Sequence, residues 1–256
     1  MLVFTPVLLL FEPIAGRENA FLLYFMFATG APAWYVYRKR EQHNKESGFK
    51  LGLGGVVVAL LSILATAGLL MGITAPLQEL MPDPGWGIEM RREMGRMAHP
   101  AVLIAIVVAA PILEEVIFRG VMLDGLLKNY SPQRAIIFSA MLFGAIHLNP
   151  WQFVSAFVMG LFLGWVYYRT RSLGLAVLIH ATNNLVALLP VLVMDPDELT
   201  EAAASTVELY GGWGPWALIT LSALALFVVC AYVLKKRFDK NFESPGSLHG
   251  RSENSG

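Results

Sequence analysis

Residues 101–123 read AVLIAIVVAAPILEEVIFRGVML, and this stretch decides the fold. It is long and apolar enough, at 1.5 Å per helical residue, to cross the ~30 Å hydrocarbon core of a bilayer. Yet it carries Glu114, Glu115 and Arg119 near its middle. Charge inside a span costs several kcal/mol unless it faces the bundle interior or a water-filled cavity, so such groups point to function. The stretch therefore predicts a membrane helix packed among others, with a polar site on its inner face.

The rest of the chain supports a membrane setting. Of 256 residues, 56% are hydrophobic and 15% charged, with a mean hydropathy of +0.57, too apolar for an ordinary soluble domain of this length. Further apolar runs lie at about 19–37, 51–73, 132–149, 151–168, 173–194 and 214–234, giving an all-α polytopic integral membrane bundle of about seven transmembrane helices. Residues 1–11 are apolar but stop at Glu12-Pro13, which favours a partial or interfacial helix; they lack the basic start and cleavage site of a signal peptide. One transmembrane domain is expected over 1–240, with its catalytic core at 101–194. Residues 241–256 are polar and Gly/Ser-rich and read as a disordered cytoplasmic tail.

Loop charge orients the bundle, because Lys and Arg gather in short cytoplasmic loops. Arg38, Lys39, Arg40, Lys45 and Lys50 form one basic connection. Lys128 and Arg134, then Arg169 and Arg171, then Lys235, Lys236, Arg237 and Lys240 form three more. All four fall on one side if the chain crosses seven times, which predicts a plasma-membrane protein with its N-terminus outside and its C-terminus in the cytoplasm. The 195–209 loop agrees, carrying Asp195, Asp197, Glu198, Glu201 and Glu208 and no base. Between 74 and 100, Met90, Met94 and Met97 share a helical face away from Arg91, Arg92 and Arg96, suggesting a helix lying in the membrane surface. Nineteen basic and nineteen acidic residues leave a net charge of +0, which gives no reason to expect nucleic acid. The one cysteine, Cys230, excludes an intramolecular disulfide and a cysteine-based zinc cluster.

Three spans hold the polar residues. Glu115 and Arg119 are four apart on one helical face, where they can pair structurally. Glu114 is rotated about 100° from its neighbour and has Phe118 at i+4, which leaves it the free carboxylate and a candidate general base for activating water. His180 and Asn184 share a face one turn apart in the sixth span, and His147 closes the fourth. Counting from the expected inner boundary, Glu114 lies about 14 Å deep, His180 about 10 Å and His147 about 22 Å. His147 is thus the outlier. Gly160 and Gly164 in the fifth span allow close helix approach and serve packing.

At these residues the chain resembles the CPBP family of intramembrane endopeptidases, which includes CAAX-processing proteases, Abi proteins and bacteriocin-processing or immunity proteins. The family patterns E-E-x-x-x-R, F-x-x-x-H and H-x-x-x-N/D occur in order as Glu114-Glu115 with Arg119, Phe143 with His147, and His180 with Asn184. The resemblance covers 114–184 and not the N-terminal spans. It implies hydrolysis of a peptide bond in a membrane-associated substrate, a prenylated protein or a leader peptide, with membrane lipid as the surrounding partner. In that carry-over Glu114 takes the proton from water and His147 holds the water with it. His180 and Asn184 stabilise the oxyanion, and Glu115 and Arg119 support the site. Zinc held by His147, His180 and Glu114 is one option, and a metal-independent glutamate mechanism needs the same residues.

Other protease chemistries lack their residues: there is no H-E-x-x-H helix, no Gly-x-Ser-Gly nucleophile and no pair of intramembrane aspartates. Two other function classes fit the same polar residues. One is a non-catalytic immunity or scaffold protein; the other is a transporter using Glu114, His147 and His180 as a proton relay. Substrate identity and oligomeric state are not encoded in any motif found.

Overall fold

The computed structural model describes residues 16, 23, 30–35, 37–39, 49–81, 100–193 and 205–241. The expected interfacial segment 1–11, the methionine-faced helix around 90–97, most of the acidic loop and the tail beyond 241 lie outside them. The described residues of the first expected span, 23, 30–35 and 37, are helical, as are 38 and 39 beyond it. Thereafter the chain runs through α1 (Val56–Glu79), α2 (100–126), α3 (Pro132–Ala145), α4 (Pro150–Thr170), α5 (Leu173–Val193), the short α6 (Thr206–Leu209) and α7 (Trp213–Asn241). The described residues contain no strand, only an isolated parallel bridge between Lys50 and Ser172.

Among the described residues, four helices are long and apolar enough to cross a membrane by length and composition: Val56–Glu79, Pro150–Thr170, Leu173–Pro190 and Trp213–Lys240. Two further expected spans, helices α2 and α3, differ from these four in character. Helix α2 carries Glu114, Glu115, Arg119 and Asp124 along its second half. Helix α3 has 14 residues, so it is only about 21 Å long. A short helix ending in a turn at membrane depth is tolerated where that turn is buried in protein or lines a cavity.

Helices α1 and α2 depart from regular geometry in the same way. Each passes through a π-helical turn, Leu70–Thr74 and Ala105–Ala109, just before a proline, Pro76 and Pro111. Proline lacks an amide hydrogen and its ring clashes with the carbonyl four residues back. Widening the preceding turn relieves the clash, and the amides of Ala75 and Ala110 accordingly bond five residues back, to the carbonyls of Leu70 and Ala105. A further π-helical stretch, Val116–Leu123, follows the two glutamates.

Small residues set the helix contacts. A Cβ at Gly72 would stand 2.5 Å from the backbone nitrogen of Leu224, and one at Gly68 2.8 Å from the carbonyl oxygen of Ala223, so α1 and α7 touch backbone to backbone. Gly160 and Gly164 let α4 approach α3 closely, Gly160 against Ala140 and Gly164 against the Ile136 side chain, in keeping with a packing role. The largest core cluster joins α1, α4, α5 and α7 through Leu69, Leu163, Val166, Leu175, Ile179 and Leu234; Cys230 is buried in it.

The four basic connections are tied together at one end of the bundle. Leu173 donates its amide to the Lys50 carbonyl at 2.8 Å, Arg171 pairs with Asp124 at 2.7 Å, and Arg169 pairs with Asp239. At the other end, Glu79 accepts from the Thr206 amide at 2.8 Å and hydroxyl at 2.7 Å, and Gln78 donates to the Trp151 carbonyl at 3.2 Å. The grouping expected from the loop charges is therefore present in the fold.

Candidate active site

Helices α2, α3, α4 and α5 enclose the polar residues. The Glu115 carboxylate is fully buried and its Oε1 accepts twice, from Arg119 Nη1 at 2.7 Å and from His180 Nδ1 at 2.8 Å. Arg119 is also fully buried. Its Nη2 donates to the Gly160 carbonyl at 3.4 Å, and its guanidinium lies 4.5 Å from the centre of the Phe143 ring. The i, i+4 pairing expected from sequence is thus the floor of the site. It is neutralised by charge, hydrogen bonding and an aromatic face, as a charge buried in lipid must be.

Glu114 sits differently. Its side chain keeps 13% of its exposure, against 0% for Glu115, and Oε2 lies 3.9 Å from His180 Nε2. That separation exceeds a direct hydrogen bond and is short enough for a shared oxygen atom between the two groups. The rotation read from sequence therefore separates one bound carboxylate from one available carboxylate.

Both imidazoles are oriented by their Nδ1 atoms. His180 Nδ1 donates to Glu115, and His147 Nδ1 donates to the Phe143 carbonyl at 2.9 Å. In each ring Nε2 is the atom left to face a ligand. His147 lies not in helix α3 but in the turn after it, where Leu148 adopts φ 52° and Asn149 caps α4 by accepting from the amides of Trp151 and Gln152. Its expected depth mismatch with His180 is bridged by Phe143, whose ring meets His147 edge-on at 5.4 Å and His180 edge-on at 5.5 Å. Phe118 packs on the same ring at 5.1 Å.

Asn184 is held one turn beyond His180. Its Nδ2 donates to the Ile106 carbonyl at 2.9 Å, and its Oδ1 accepts from Asn183 Nδ2 at 3.2 Å. Two contributors escaped the sequence reading: Phe143 as an aromatic hub, visible only as a motif letter, and the Ile106 carbonyl, whose availability was signalled only by Pro111. Among the described residues no three His, Cys, Asp or Glu side chains are grouped so as to hold a metal ion. Of the three zinc candidates, His180 and Glu114 approach each other, Nε2 to Oε2 at 3.9 Å.

Comparison with known proteins bears on the same segment. Residues 97–186 match the family model described as type II CAAX prenyl endopeptidase, Rce1-like. The Bacillus subtilis (strain 168) protein named "Putative membrane peptidase YdiL" is 28% identical over 87 residues, 34% of this chain and 36% of that protein. The matched stretch thus spans about a third of the relative's length. No solved structure matches the chain.

Proposed function

We propose, from the premise that residues 97–186 are the core of a CPBP-family membrane protease, that the chain is an intramembrane endopeptidase using Glu114 as general base. The observation that carries this reading is the contrast between the two adjacent glutamates. Glu115 is fully buried and tied through Oε1 to both Arg119 and His180, with Oε2 buried and without a hydrogen-bond partner among the described residues, whereas the partly exposed Glu114 presents Oε2 toward His180 Nε2 across 3.9 Å.

In this reaction a water molecule gives one proton to Glu114 while its oxygen attacks the scissile carbonyl carbon. His147 Nε2, opposite the nitrogen fixed by Phe143, accepts the other water proton as a hydrogen bond and so orients the nucleophile. The carbonyl electrons move onto oxygen, forming a tetrahedral oxyanion beside His180 and Asn184. His180 enters and leaves this step doubly protonated, donating at Nδ1 to Glu115, which balances its charge, and at Nε2 to the oxyanion, so it takes no proton from the water. Glu114 then returns its proton to the leaving nitrogen and the C–N bond breaks, which restores the starting carboxylate. Every step runs through this chain's own side chains.

The substrate is proposed to be a prenylated or leader peptide segment presented at the membrane, by extension from the matched family description. The end carrying the four basic connections is proposed to face the cytoplasm of a plasma membrane. Cleavage of a membrane-peptide panel that includes a farnesylated CAAX peptide, by detergent-purified wild type and Glu114→Gln, tests the assignment. Cleavage by wild type and its loss in the variant support the protease. Absence of cleavage by both favours a non-catalytic immunity or scaffold role.

A further inference from the structure

We infer that Pro111 is a positioning residue: by withholding an amide hydrogen it releases the Ile106 carbonyl to hold Asn184 in the site. This rests on the protease reading above only for its consequence on turnover. The hydrogen-bond arrangement stands on its own geometry.

The argument is one of counting donors. In a regular α-helix the Ile106 carbonyl would accept from the amide of Ala110. Here the π-helical turn sends the Ala110 amide to Ala105 instead. In that widened register the next donor for Ile106 would be residue 111, which is proline and has none. The carbonyl is left without a main-chain donor in a low-dielectric interior, where an unmade hydrogen bond is costly. Asn184 Nδ2 supplies it at 2.9 Å from a different helix. Asn183 Nδ2 fixes the other end of the same carboxamide at 3.2 Å, so the amide plane is set from both sides.

Two consequences follow for chemistry. Of the two hydrogens on Asn184 Nδ2, one is committed to Ile106 and one remains to meet a developing oxyanion. The bond also requires a donor at position 184. The related pattern H-x-x-x-N/D admits aspartate there, but in this chain a carboxylate would face a carbonyl oxygen and repel it. Asn184→Asp is therefore disruptive here, and it becomes less so once Ile106 has another donor.

A double-mutant cycle reads this directly. Wild type, Pro111→Ala, Asn184→Asp and the double variant are purified in detergent, and their thermal midpoints are compared. Alanine at 111 restores an amide, so Ile106 takes a main-chain donor and position 184 is released. The expected result is a midpoint drop for Asn184→Asp that is largely erased in the Pro111→Ala background. Kinetics on a farnesylated CAAX peptide supply the second readout. Pro111→Ala is expected to lower kcat roughly 10- to 100-fold at unchanged KM, since it frees the carboxamide without unfolding the helix.

Additive midpoint shifts would overturn the link between the two residues. Coupled midpoints with an unchanged kcat would overturn the positioning role. Glu114→Gln separates the two levels of failure. If it cleaves as wild type does, or if wild type cleaves nothing, the protease reading fails while the midpoint cycle still decides the Pro111–Ile106–Asn184 link.

Discussion

His180 Nδ1 lies 2.8 Å from Glu115 Oε1, the same oxygen that accepts from Arg119 Nη1 at 2.7 Å. One buried oxygen thus joins helix α5 to a charge pair within α2. It also fixes which imidazole nitrogen faces Glu114.

Removing that charge should be felt in folding as well as in turnover. Glu115→Gln removes the countercharge and leaves Arg119 buried with only neutral partners, the carboxamide oxygen at 115, the Gly160 carbonyl and the Phe143 face. A loss of about 3–5 kcal/mol is expected for breaking a buried pair by removing one member. Equilibrium unfolding in detergent checks it. A change under about 1 kcal/mol would show that the pair is not the floor of the site.

Phe143 is expected to matter beyond its volume. Phe143→Leu keeps an apolar side chain but removes the ring that meets Arg119, His147 and His180. Stability should fall by about 1–2 kcal/mol, since aromatic pairing and cation–π contact each contribute about 0.5–1.5 kcal/mol. Turnover should fall by more than that loss accounts for, because both imidazoles lose a common support. Comparing the melting curve with kcat separates the two effects.

Two glycines should behave in opposite ways. Gly72→Ala places a Cβ 2.5 Å from the Leu224 backbone, where nothing flexible can yield, and is expected to cost about 1–3 kcal/mol. Gly125→Ala meets no atom within 4 Å in the last turn of α2 and is expected to stabilise by about 0.4–1 kcal/mol. Thermal midpoints of the two variants should move apart.

Chelation is expected to leave peptide cleavage unchanged, because the proposed reaction runs through Glu114, His147, His180, Asn184 and a water molecule alone. Loss of cleavage on chelation, restored by added zinc, would instead put the metal in the reaction.

Much of this site was legible because charge inside an apolar run is rare and therefore informative. The 114/115 rotation separated the free carboxylate from the bonded one, and the i, i+4 spacing predicted the Glu115–Arg119 pair. Depth along straight helices misled for His147, because that residue lies in a turn after a 14-residue helix and meets its partners through Phe143. The expectation that His180 and Asn184 converge from one face captured the helix but not the partner. Asn184 answers to a backbone carbonyl, and carbonyls freed by a π-helical turn leave no trace in side-chain pattern except the proline that follows.

The measurement that bears most directly on the central claim is single-turnover cleavage of a farnesylated CAAX peptide by wild type and Glu114→Gln, with melting curves recorded for both. The glutamate-base account predicts cleavage by wild type and a rate lower by roughly 10² to 10⁴ in the variant at a similar melting temperature. Equal rates in the two proteins would contradict it.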